Sequence, residues 1–209
     1  MFALSCPDFC LTGCKNKTVI LIYQLIEKEY EMKTSINTLI KDYNDIINRA
    51  KEIFNNRTAE EINKKPSPKS WSAAECIEHI YTYAAAYLAN TKILSHSTTD
   101  IDRNKLYSPR FLPAKFIKAV GPDTTLKLKS IHVGSSNPST FDIPIIDQFI
   151  VHQKKFLEIL NQISFEDLKR IKVVSPFARL LKFQLGEMLL LTSYHQQRHL
   201  NQAERAINS

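Results

Sequence analysis

The sequence predicts an all-α protein, a four-helix bundle with a long crossover between helices two and three. Three observations lead there. Glycine is scarce, 4 in 209 residues, which suits helices better than turn-rich β structure. Apolar residues recur at alternating steps of three and four in several separate stretches, the signature of helices with one buried face. Between the second and third of these stretches lies residues 95–141, which hold Pro109, Pro113, Pro122 and Pro138 and cannot be a tight turn. With 44% hydrophobic and 23% charged residues, the composition is that of a globular chain of one domain with a proper core.

Residues 1–31 do not share the pattern that follows. They read as a leader, either an over-extended start or an N-terminal extension of helix one, and the domain is expected to occupy residues 32–209. Cys6, Cys10 and Cys14 cluster in this leader and Cys76 stands in a helix. Three terminal cysteines are a poor disulfide framework and an incomplete zinc site, so a reducing, cytoplasmic setting is expected. Leu11-Thr12-Gly13-Cys14 has the look of a lipoprotein cleavage box, but no Lys or Arg precedes it and Asp8 interrupts the apolar run. Residues 19–25 are far too short an apolar run to span a bilayer, and no membrane partner is expected.

Helix one begins after Met32 and carries Ile36, Leu39, Ile40, Tyr43, Ile46, Ile47, Ala50, Ile53 and Phe54 on one side over about five turns. Pro66 and Pro68 break the pattern. Helix two then starts legibly: Ser72 and Glu75 have the spacing of a capping box, in which the hydroxyl serves an amide inside the helix and the carboxylate reaches back to the cap. Trp71 and Cys76 stand at the two staple positions around it. The helix runs inward through Cys76, Ile77, Ile80, Ala84, Tyr87 and Leu88 to about Leu94, with His79 at the edge of the stripe. That role makes Glu75 a cap rather than a catalytic base.

The crossover contains a short helix at residues 113–120, with His96 and His132 on its exposed stretches. Its length permits helices two and three to run parallel and makes it the candidate for a substrate-facing lid. Helix three spans residues 143–163, with Pro144 tolerated in its first turn. Its stripe is Ile145, Phe149, Phe156 and Leu160, and His152 falls within it, either a core histidine bonded to a neighbour or a fourth nitrogen near a site. Residues 164–182 form a second connection with a short helical turn and Ser175-Pro176-Phe177.

The last helix, residues 183–207, organises the rest. His195 and His199 are four residues apart, so their rings project to one side of the helix, one turn apart, and can grip one ion. Spacing alone also fits two histidines on a solvated face. Gln196 stands where a zinc protease motif has its carboxylate base, so zincin chemistry is excluded. Net charge is +7; the lysines alternate with acids along helix faces, and nucleic acid is not the expected partner.

Taken in order, Trp71-Ser72-Ala73-Ala74-Glu75 with Cys76-Ile77-Glu78-His79, then Leu185-Gly186-Glu187 with His195, Arg198-His199 and Gln202, resemble the DinB-like or YfiT-like superfamily of four-helix-bundle metalloenzymes. That superfamily is unrelated to the translesion polymerase that shares part of its name. The resemblance covers about residues 32–207. It implies that His79, His195 and His199 hold one divalent metal, zinc or nickel, with a position left open. It further implies a metal-dependent hydrolase or thiol S-transferase acting on a small-molecule substrate or with a low-molecular-weight thiol, and formation of a homodimer. Gln202 and Tyr83, each one turn beyond a histidine, are candidate supporting donors. The chain departs from the family at Gln184, where Ser or Thr is usual, and the leader has no counterpart. A non-catalytic bundle acting as a stress-response or binding module is the alternative reading.

Overall fold

A computed structural model describes residues 32–92, 102–124 and 144–209. The leader with Cys6, Cys10 and Cys14, and the crossover histidines His96 and His132, lie outside the described residues. Seven helices and one two-stranded sheet are described: α1 (Ile36–Phe54), α2 (Ala59–Asn63), α3 (Ala73–Asn90), α4 (Phe111–Val120), α5 (Pro144–Gln162), α6 (Phe165–Arg170), β1 (Lys172–Val174), β2 (Lys182–Gln184) and α7 (Leu185–Ile207). The all-α expectation holds, with α1, α3, α5 and α7 as the four long helices.

Local sequence explains the helix starts. Ser35 accepts from the Thr38 amide to open α1, and Thr58, Ser72 and Ser164 each form a reciprocal box with an acid three residues on. For α3 the Glu75 carboxylate accepts from the Ser72 amide at 2.8 Å, as expected from the sequence. The helix ends at Asn90 rather than near Leu94, because Thr91 is extended and its amide closes on the Leu88 carbonyl.

Packing sets the directions. Tyr43 of α1 stacks on Phe156 of α5 with centroids 4.9 Å apart, and its hydroxyl reaches Thr192 of α7 at 2.6 Å. Further along, Arg49 of α1 meets Asn201 and Glu204 of α7, so α1 and α7 run parallel. His79 and Tyr83 of α3 meet α7 in the reverse order, at His199 and then His195, so α3 runs antiparallel to it. Tyr81 of α3 stacks on His152 of α5, while Leu88 and Thr91 share a hollow with Ile159 and Gln162, so α3 and α5 run parallel. This is the direction the long crossover allows.

The start of α7 is locked by buried polar groups. Glu187 is fully buried, and its carboxylate accepts from the Gln184 amide, the Arg110 amide and the Arg110 guanidinium, the last at 2.7 Å. Burial alone would raise its pKa, yet these hydrogen bonds and the guanidinium charge hold it below the ordinary carboxylate range. Gln184, where Ser or Thr was expected, uses its side-chain oxygen to accept from the Tyr107 hydroxyl at 2.8 Å. Tyr107 in turn pairs by backbone hydrogen bonds with Thr34. The Leu185-Gly186-Glu187 stretch is therefore an anchor for α7.

Gly186 has a steric reason. A Cβ there would lie 2.6 Å from the Tyr107 ring, and Tyr107 is fully buried and tied at both its backbone and its hydroxyl. Gly186→Ala is expected to destabilise the protein by about 1–3 kcal/mol through this overlap, read as a lower urea midpoint; an unchanged midpoint would show that Tyr107 can retreat.

Candidate metal centre

Antiparallel packing of α3 on α7 brings His79, His195 and His199 together. One ring nitrogen from each lies within 4.8 Å of the others, and Nε2 of His79 is 3.4 Å from Nε2 of His195. Two nitrogens bound tetrahedrally to one ion at about 2.0–2.1 Å would be separated by about 3.3 Å. The donors therefore stand close to the spacing one ion needs, and the set fits a divalent metal. Three imidazoles suit zinc, nickel, copper or iron and do not single one out.

His195 and His199 are in the ligating state. Burial first, then the His199, His79 and Arg198 charges, hold the His195 pKa well below that of a free imidazole. His199 is pushed down to about 3 by burial, with His79 and Arg198 adding to the effect and the Gln202 amide opposing it. Both are neutral near pH 7, with a lone pair to donate. His79 and His199 are buried, while His195 is half-buried.

Aromatic side chains wall the trio. Trp71 packs on His79 at 4.9 Å and lies nearly parallel to His199 at 5.5 Å. On the other side Tyr83 packs on His79 at 4.5 Å and His195 at 5.2 Å, and Phe177 stacks on Tyr83 at 4.1 Å. Phe177 comes from the β1–β2 connection, where the Ser175 amide donates to the Leu181 carbonyl and closes the turn. The sequence suggested the long crossover as the lid. In its described part that crossover packs α4 against α7 instead, with Arg198 donating to the Ala119 carbonyl, and the hairpin supplies the ring beside the site.

The remaining sequence candidates separate. Tyr83 and Gln202 both lie at the histidines. His152 does not: it stacks on Tyr81 at 4.7 Å with the rings nearly parallel, and lines a separate hollow of about 430 Å³ with Ala85, Leu88, Lys155 and Glu158. The stripe of α5 faces α1 and α3, and His152 sits at its edge rather than toward α7. Gln196 is buried in the core, so position as well as chemistry removes it as a base. Trp71 and Phe177 were not singled out as site residues. Trp71 adjoins the cap of α3, which is a usable signal, whereas nothing near Phe177 in sequence points to α3.

The family profile described as the DinB superfamily matches residues 43–203. The chain belongs to the DinB superfamily. The match runs from within α1 through most of α7 and contains all three histidines. No curated protein and no solved structure matches this DinB chain.

The neutral imidazoles make a prediction for the metal-free protein. Their folded pKa values are depressed, so between about pH 6.5 and 3 the unfolded chain binds protons that the folded one refuses. Stability is then full above pH 6.5 and falls as pH drops, by about 2 kcal/mol at pH 5 for a histidine shifted as far as His199. Urea titrations from pH 7 to 5 should show this slope, and His199→Phe should reduce it; equal slopes in the two proteins would contradict the assignment.

Proposed function

We propose that this DinB protein is a metal-dependent enzyme of the hydrolase or thiol S-transferase type, using a zinc or nickel ion held by His79, His195 and His199. The observation that carries the reading is the convergence of three imidazole nitrogens, two of them on rings that burial keeps neutral, with no carboxylate in the cluster among the described residues, beside a half-buried ring wall. A divalent ion with an open position supplies Lewis acidity that activates water or a thiol at neutral pH.

The chain's own residues do the rest. His79, fixed on α3 by the capping box seven residues before it, and the His195/His199 pair on α7 hold the ion between two helices that the core packs together. Trp71, Tyr83 and Phe177 exclude bulk water from the rings, which strengthens electrostatic interactions there. Arg198 acts on both His195 and His199 as a positive charge. The centre is thus positive once loaded and favours an anionic nucleophile, hydroxide or thiolate, over a neutral one. Gln202, next to His199, is placed to set the orientation of that ring. The co-substrate is a low-molecular-weight thiol in the transferase form and water in the hydrolase form.

The alternative, a non-catalytic binding module, separates from this reading by turnover. Zinc- and nickel-loaded protein should accelerate conjugation of a small thiol to a haloalkyl electrophile, or hydrolysis of an activated ester. His199→Ala should lower that rate about a hundredfold or more, since removing the Lewis acid removes several kcal/mol of transition-state stabilisation. A loaded protein at one ion per chain that turns over neither substrate class would favour the module.

A further inference from the structure

The net charge of the chain is concentrated. Residues 103–122 and 168–186 contain ten of the 28 Lys and Arg residues and none of the 21 acids. The other 170 residues therefore carry 18 basic and 21 acidic side chains, close to balance. The fold sets these two segments side by side: the Arg110 guanidinium donates to the Lys182 carbonyl at 2.8 Å, and Phe116 of α4 stacks on Phe183 of β2 at 6.3 Å.

The same segments carry most of the large apolar side chains that the described residues expose. Leu180 is 97% exposed, Leu112 73%, and Leu181 and Phe116 about half. On α4 the inward positions are Ala114 and Ile117, which leaves Leu112 and Phe116, four residues apart, on the outer face. Leu180 and Leu181 project from the β1–β2 connection, with Arg179 and Lys182 exposed on either side of them.

We propose that this face, α4 together with the β1–β2 hairpin, docks on an anionic lipid surface. Apolar tips flanked by exposed cations on a folded domain have the chemistry of interfacial membrane binding: the leucines enter the acyl boundary and the cations meet the headgroups. Lys105, Arg110 and Arg170 are paired with Glu166, Glu187 and Asp167, and the face still keeps Arg179 and Lys182 exposed beside its leucines. Charge therefore selects this occupant over a second copy, because a symmetric dimer through the face would oppose these cations to one another. A nucleic-acid backbone would match the cations and leave the leucines in water. Attachment is peripheral, since no described helix is long and apolar enough to cross a membrane. The expectation of no membrane partner came from looking for spanning runs, and this face is assembled only by folding. The hairpin that carries Leu180 also carries Phe177, so the docked face adjoins the wall of the histidine trio.

Sedimentation of the full chain with vesicles tests this. Binding to vesicles containing about a third anionic lipid, at about 0.1 M salt, should exceed binding to purely zwitterionic vesicles by about tenfold or more and weaken as salt rises. Leu112→Ser with Leu180→Ser, and separately Arg179→Glu with Lys182→Glu, should each reduce it about tenfold while leaving the helical circular dichroism unchanged. Equal binding to both vesicle types, no binding to either, or binding that both variants retain would overturn the proposal. So would a lipid-free dimer that Leu180→Ser dissociates, which would give the face to a second copy.

Discussion

His79, His195 and His199 each bring a ring nitrogen within 4.8 Å of the others, and burial holds His195 and His199 neutral, a constraint that shapes the protein around them. A protonated His195 or His199 would face two neighbouring imidazoles and Arg198, with no carboxylate in the cluster among the described residues. The arrangement is stable when α3 and α7 hold the rings in register and the lone pairs have an electrophile to meet. Everything that fixes the relative position of these two helices therefore bears on the site.

Much of the remaining polar architecture does that work at a distance. The buried Glu187 carboxylate draws Arg110, the Gln184 amide and thereby the start of α4 onto the start of α7. Tyr107 fills the space left by Gly186 and ties the same point to the chain before α1. Tyr43 links α1, α5 and α7 through one ring and one hydroxyl. These contacts hold the long helix as a rigid rail, and His195 and His199 ride on its middle. The buried Glu187 is thus an anchor and stands outside the histidine cluster.

Legibility followed the range of the interaction. The extent of α1, the capping box of α3 and the pairing of His195 with His199 are local, so periodicity and spacing sufficed. The length of the chain between α3 and α5 permitted their parallel course without requiring it. Placing His79 beside the pair needed the family resemblance, because no spacing links residues 116 apart. His152 shows the limit of periodicity: a position on the edge of a stripe can face either neighbour, and this one met Tyr81. The β1–β2 hairpin has strands of three residues, too short for alternation to register, and with it the reach of Phe177 to Tyr83 was invisible. The pairing of Arg110 with Glu187, 77 residues apart, likewise exists only in the folded chain.

The central claim is that these three histidines form one ion site. The most direct measurement is metal per chain, by elemental analysis, in the purified protein and after reconstitution with zinc or nickel, beside His79→Ala and His199→Ala. The account predicts close to one equivalent in the native chain and its loss in both variants, since each removes a donor from a different helix. Retention of the ion in either variant would place it elsewhere, and a native chain that takes up no ion even on reconstitution would contradict the site altogether.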